Sequence, residues 1–180
     1  YHGFRYVEIS GLPEGSKPSL SDFTGLVLYD QMASTSAFET DNDIINAVHR
    51  NAWWGIRGNY RSMPTDCPQR NERMGWSGDI NVYARTASYL WNCKEFLRKH
   101  LQSMRDIQLD NGRFPDVAPI GGGFGGFMWG TAGITIPWEL WLHYGDRQVL
   151  AEHYDAMKRY MDYVENDYID PQTRLFGQND

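Results

Sequence analysis

From Ser36 to Tyr168 the chain runs as helical stretches joined by loops, with no strand pattern between them. Helices with no sheet to cover their apolar stripes must cover one another, so this constrains the fold more than any other feature. "TDNDIINAVHRNAWWGIRGNY" opens with Thr40 or Asp41 as N-cap, and Ile44, Ile45, Val48, Ala52 and Ile56 follow at three- and four-residue steps. "DINVYARTASYLWNCKEFLRKHLQSMRDIQ" reads as one long helix with Ala84, Ala87, Leu90, Trp91, Leu97, Leu101 and Met104 near one face. "TAGITIPWELWLHYG" reads as a helix ended by Gly145. Pro137 fits best in a first turn, which moves the expected start to near Thr135. "RQVLAEHYDAMKRYMDYVENDY" is amphipathic through Leu150, Tyr154, Met157, Met161 and Val164, and "IDPQTRLFGQND" after it is a loop. The connections alternate between the short "GDR" and long stretches, one rich in acids, one with glycines at 121, 122, 123, 125 and 126. This predicts stacked antiparallel helical hairpins whose long loops gather on one face, where functional residues collect. No internal repeat accompanies the alternation.

The first 31 residues are of another kind. "YHGFRYVEISGL" alternates with a period of two, and "TGLVLYD" is a second β-like run after a turn-rich loop. Two strands do not stand alone in water, so these predict the end of a β-structure whose remaining strands lie outside this chain. A chain of 180 residues suits one domain or parts of two. Its aromatic content of 14% serves either a tryptophan-heavy core or the lining of a flat-faced ligand site. A net charge of −6 argues against a nucleic-acid partner. No apolar run approaches the ~20 residues of a membrane span. No charged-then-apolar signal segment stands at the start, and the compartment stays open. Cys67 and Cys93 read as free thiols, and the histidines at 2, 49, 100, 143 and 153 are scattered, so spacing suggests no metal-ligand cluster.

The segment "TDCPQRNERMGWSGD", Thr65 to Asp79, concentrates chemistry in a stretch that is neither helix nor strand. Asp66, Glu72 and Asp79 each raise the pKa of their neighbours unless cations intervene, and Arg70 and Arg73 are there to do so. Such a group can hold one carboxyl protonated while another stays ionised, and Trp76 supplies an apolar wall. Carboxylates also accept sugar hydroxyls, and indoles pack on the C–H faces of sugars. The plainer reading has Asp66 and Asp79 capping helices and Glu72 pairing with an arginine. Spacing alone names no reaction.

This segment and its flanks closely resemble the bacterial α-L-rhamnosidases, glycoside hydrolases whose catalytic domain is a six-hairpin toroid. "YHGFRYVEISGL" is similar to the end of the β-sandwich before the toroid, "TDNDIINAV" to its first helix, and "MWGTAGITIPWELWLHYGD" to the next hairpins. The resemblance implies a mainly α fold: residues 1–31 as the last strands of a β-sandwich, and residues 32–180 as the first part of an (α/α)6 barrel. It implies Glu72 as general acid. Asp66, Asp79, Trp76, Trp129 and Arg70 then bind substrate, Arg70 with no firm individual role. The family's "W-x-D-A" step carries an acid; here Gly130 and Thr131 precede Ala132, which alters that corner of the pocket.

The resemblance further implies an inverting hydrolase releasing terminal α-L-rhamnose. In such enzymes acid and base carboxylates stand ~6.5–9.5 Å apart to admit a water. The family's base lies beyond the matched region, so the chain is expected to be a fragment with an acid and no base. Glu139, Glu152 and Glu165 read as solvated faces or local ion pairs. No cofactor or metal is called for. The expected partners are a rhamnoside substrate and the rest of the parent chain. Two readings compete: a toroid glycosidase of another sugar specificity, and a non-catalytic carbohydrate-binding relative.

Overall fold

The computed structural model describes residues 1–123 and 126–177. Among the described residues, six helices and one minimal hairpin follow a long irregular start: α1 (Asp43–Asn59), β1 (Tyr60–Arg61), β2 (Met63–Pro64), α2 (Ser77–Leu90), α3 (Lys94–Asp106), α4 (Phe127–Gly130), α5 (Ala132–Tyr144) and α6 (Arg147–Tyr168). The expected Gly125 and the last three residues of the final loop lie outside the described residues.

Residues 1–31 form no strand; their only regular element is a 3-10 turn at Leu20–Asp22. The alternation of Phe4, Tyr6 and Val7 faces water, Tyr6 at 89% exposure. A strand exists through its ladder, and no neighbouring strand is here to supply one. The segment touches the helical body where the Gly3 N–H donates to the Pro68 carbonyl at 3.0 Å.

α1 is capped by Asn42, whose side-chain oxygen accepts from the backbones of Ile44 and Ile45. Thr40, one of the expected caps, instead receives the Asn42 N–H and exchanges hydrogen bonds with the Asn46 side chain. Of the expected stripe, Ile56 is fully buried while Ile44, Ile45 and Val48 stand open.

The expected single long helix is two helices, α2 and α3, broken at Trp91–Cys93. Trp91 is extended, with φ −140° and ψ 152°. Its neighbourhood bonds residues far away in sequence: the Asn92 N–H donates to Ala33, and the Thr35 N–H to Leu90. The Tyr144 hydroxyl donates to the Trp91 carbonyl and accepts the Cys93 N–H, each at 3.0 Å. Those partners satisfy the backbone groups that a helix end leaves orphaned. The apolar face nevertheless falls as expected, with Ala84, Ala87, Leu90, Trp91, Leu97, Leu101 and Met104 all buried.

α5 is the central helix, packed against α2, α3 and α6. It starts at Ala132, not Thr135, and carries Pro137 inside it. Proline removes one i→i−4 bond, and here the buried ring fills core space between the helices. Gly145 ends the helix in the left-handed conformation, φ 63°, as expected. α6 has its expected bounds, but its buried face is rotated: Val149, His153, Ala156, Tyr160, Tyr163 and Val164 face inward, while Tyr154 and Met161 are exposed. Glu139 departs from expectation too. It is buried on α5 and takes Arg85 at 2.9 Å and His143 at 3.3 Å. Glu165 makes a local pair with Arg174, whereas Glu152 on α6 pairs with Arg98 of α3, 54 residues away in sequence.

Candidate active site

The acid-rich segment leaves the β1–β2 hairpin and returns to the start of α2. Two features hold its base. Thr65 donates from its N–H (3.0 Å) and its hydroxyl (2.8 Å) to the Asn59 carbonyl. Asp66 then closes the loop on itself: its N–H donates to the Met74 carbonyl at 3.0 Å, and its Oδ1 accepts the Met74 N–H at 2.9 Å. Asp66 therefore caps no helix, contrary to the plainer reading. Asp79 is not a cap either; α2 begins at Ser77, the N-cap is Trp76, and Asp79 lies in the first turn.

The far side of the loop is clamped to the segment before the glycine-rich stretch. Gly75 accepts the Ala118 N–H at 3.0 Å, Trp76 bridges Val117, and the Ser77 N–H donates to the Asp116 carbonyl at 2.7 Å. A Cβ on Gly75 would collide with the Ala118 carbonyl, so only glycine fits. Asp116 also organises the glycine turn. Its N–H donates to Gly123 at 2.9 Å and its carboxylate accepts the Gly126 N–H at 3.2 Å. α4 follows and delivers Trp129, whose indole lies against the backbone of Gly78; a Cβ there would stand 2.8 Å from the ring. The indole nitrogens of both Trp76 and Trp129 are buried without a hydrogen-bond partner.

Arg70 connects the acids. Its guanidinium meets Glu72 Oε2 at 2.8 Å through one nitrogen and 3.0 Å through another, and reaches Asp66 Oδ2 at 3.7 Å. So Glu72 does pair with an arginine, as the plainer reading has it. The Asp66 side chain is 5% exposed, and its Oδ2 makes no hydrogen bond. Asp66 and Asp79 together line a cavity of about 370 Å³ with Asn59, Tyr60, Thr65 and Tyr83. Partial desolvation first, and then the nearby Asp66 carboxylate, push Asp79 above the usual carboxylate range. Neither Glu72 nor the two tryptophans line that cavity. The arrangement thus has two parts: a carboxylate pair facing a cavity, and an acid–arginine pair at its edge joined to it through Asp66.

Spacing suggested no metal cluster, yet oxygens of Asp66 and Glu72 and the Cys67 sulfur lie within 4.8 Å of one another. This set could hold a cation, and the Arg70 guanidinium already contacts both of its carboxylates. Cys67 and Cys93 are free, as read, and both are buried. Burial pushes the Cys93 thiol up to about 12.

Asn59, Tyr60, Tyr83 and Asp116 enter the site without having been singled out in the sequence. Asp116 sits in an irregular stretch with no periodicity to mark it. At the divergent corner, Gly130 lies against the Tyr160 ring, 2.8 Å from where its Cβ would be. The Thr131 hydroxyl donates to the Phe127 carbonyl at 2.6 Å and lies 3.5 Å from the Tyr160 hydroxyl. Tyr160 therefore occupies the position beside that corner.

Residues 33–179 match the family model described as the bacterial alpha-L-rhamnosidase 6 hairpin glycosidase domain. An alpha-L-rhamnosidase of Streptomyces avermitilis is 47% identical over 167 residues, covering 92% of this chain and 16% of the relative. The crystal structure of the Streptomyces avermitilis alpha-L-rhamnosidase complexed with L-rhamnose superposes with a TM-score of 0.75 at 46% identity, over 77% of this chain and 14% of that one. The native enzyme from Aspergillus terreus superposes with a TM-score of 0.86 at 37% identity, over 97% of this chain and 20% of that one. The chain thus spans less than a fifth of the length of the Streptomyces relative.

Proposed function

This chain belongs to the bacterial α-L-rhamnosidase six-hairpin glycosidase family, and from that premise we propose that it contributes the acid half of an inverting site releasing terminal α-L-rhamnose. In this reading residues 1–31, which form no strand here, become the last strands of a preceding β-sandwich once its other strands pair with them, and residues 32–180 are the first part of the toroid. The observation that carries the reading is the coupling of Glu72 to the cavity: Arg70 bridges Glu72 and Asp66, and Asp66 shares the cavity with Asp79.

In this reading the rhamnosyl ring sits over Asp66 and Asp79, which accept its hydroxyl protons. The Oδ2 of Asp66, buried and without a hydrogen-bond donor, suits a sugar hydroxyl. Trp76 and Trp129 supply apolar walls for the ring and its methyl group. Arg70 turns to a sugar hydroxyl on binding and releases Glu72 to protonate the leaving oxygen. A base carboxylate from a part of the toroid outside these residues activates the water on the opposite face.

The test is Glu72→Gln in the protein that carries these residues. Turnover of an alkyl α-L-rhamnoside should fall by about two to four orders of magnitude, since a poor leaving group depends on general acid catalysis. Binding of rhamnose should persist. Near-normal turnover would overturn the assignment. Equal rates on other aryl glycosides would favour a toroid glycosidase of different specificity. Rhamnose binding with no turnover in the unmodified protein would favour a non-catalytic relative.

A further inference from the structure

A second cleft adjoins the cavity. It encloses about 470 Å³ and is lined by Tyr1, His2, Arg61, Ser62, Thr65 and Arg73, with Met63 at its base. Thr65 lines both spaces, so the cleft and the carboxylate cavity share a wall. Arg73 is the residue after Glu72. Its backbone is in the left-handed region, φ 50°, where a non-glycine residue is held only by its surroundings. Those surroundings are explicit: Arg73 Nη1 donates to the Tyr1 carbonyl at 3.3 Å and to His2 Nδ1 at 2.8 Å, and Nη2 donates to the Asn71 side chain at 3.3 Å.

The electrostatics of this cleft are unlike those of the cavity beside it. Among the described residues no carboxylate lines it. Arg73 bonds the Tyr1 carbonyl, the His2 ring and the Asn71 side chain, and among the described residues no carboxylate pairs with it. The Arg61 guanidinium lies over the Tyr1 ring, 4.5 Å from its centroid, which orients it without using its N–H donors. Arg70, Arg85, Arg98 and Arg174, by contrast, are all ion-paired. Asp30 accepts the Ser62 N–H at 3.1 Å and lines a different cavity together with Lys99. A planar guanidinium with free donors, beside a second fixed cation, is suited to a carboxylate or a sulfate.

We infer that this cleft is a subsite for an anionic sugar, the residue that carries the terminal rhamnose, with Arg61 contacting its acidic group and Arg73 supplying fixed positive charge. The inference rests on the rhamnosidase reading for the identity of the sugar next door, and it deepens that reading by naming the class of aglycone. A uronate carboxylate and a sulfate ester share the required chemistry.

The test uses binding, so it does not depend on turnover. The protein that carries these residues is titrated calorimetrically with methyl glucuronide, methyl glucose 6-sulfate and neutral methyl glucoside at low salt, and separately with L-rhamnose. The anionic sugars should bind about tenfold more tightly than the neutral one, the scale of one charge-assisted hydrogen bond. Arg61→Gln should remove that advantage while leaving rhamnose affinity unchanged, and inorganic sulfate should compete with the anionic sugars only. The stronger of the two anionic ligands names the source of the charge. Equal binding of charged and neutral sugars, or an advantage that survives Arg61→Gln, overturns the subsite. Loss of rhamnose binding alone would count against the proposed function and not against the cleft. Arg61 is exposed, so its replacement leaves the core intact.

Discussion

Asp66 and Trp129 are the side chains on which the proposed pocket most depends, and they act differently. Asp66→Asn keeps the shape and the bond to Met74 but removes the charge from a nearly buried oxygen. Rhamnose affinity, measured by titration, should fall by about 1.5–3 kcal/mol. Trp129→Ala removes a wall, and discrimination of a methyl from a hydroxymethyl sugar should fall by about 1–3 kcal/mol. Loss of folding with unchanged selectivity would return Trp129 to the core. Two glycines separate steric need from backbone need. At Gly75 the obstacle is the Ala118 carbonyl, whereas at Gly145 there is open space and a φ of 63°. Gly145→Ala should cost about 1–2 kcal/mol, the left-handed penalty, and leave the site alone. Gly75→Ala should cost about 1–3 kcal/mol and also weaken rhamnose binding, because overpacking there pushes the acid loop off its clamp. Urea midpoints paired with rhamnose titrations distinguish the two.

At the scale of elements, two histidines are buried between packed helices, and one of them is bonded across to a neighbouring helix. His100 is on α3, and His153 on α6 stacks on Phe114, 5.6 Å between ring centroids. Arg105 of α3 donates to His153 Nδ1 at 3.2 Å, so the ring is neutral with its proton on Nε2. Burial lowers His100 to about 4, with Lys99 adding to the effect. Burial, then Arg105, lowers His153 to about 4 as well. Unfolded histidines titrate near 6.5, so above that pH neither state is charged and stability is full. As pH falls from about 6.5 toward 4, the unfolded chain takes up protons that the folded chain refuses, and stability is lost by a few kcal/mol. Urea midpoints should decline between pH 7 and 5, before most carboxylates titrate. Replacing both histidines with Gln should flatten that decline. An unchanged slope in the double variant would remove the histidines as its cause.

The whole molecule leaves apolar helix faces uncovered. Ile44 and Val48 on α1, Trp138 and Leu142 on α5, and Tyr154 and Met161 on α6 are all open to water. Contiguous exposed apolar surface of this kind is ordinarily covered by another part of a fold. The 16% coverage of the Streptomyces relative leaves ample sequence there for further hairpins. Residues 1–180 alone should therefore bind a hydrophobic dye, associate with rising concentration, and hydrolyse aryl rhamnosides only at a residual rate. Specific activity comparable to that of a full toroid enzyme would put the base within these residues.

Local periodicity was sufficient for much of this architecture. It identified the buried stripe of α2 and α3, both ends of α6 and the stop at Gly145, because apolar spacing and a left-handed cap are properties of neighbouring residues. It also drew attention to the loop of Asp66, Glu72 and Asp79, since charge crowded into a non-periodic stretch is visible without a fold. The break at Trp91–Cys93, the rotation of α6, the early start of α5 around Pro137 and the burial of Glu139 were decided only in three dimensions. So were the meeting of Gly75 with Ala118 and of Trp129 with Gly78. The break and the buried charge depend on partners dozens of residues away, Ala33 and Tyr144 for the break and Arg85 for Glu139. A helix can end, turn its face or bury a charge where such a distant group satisfies what the local chain leaves unpaired.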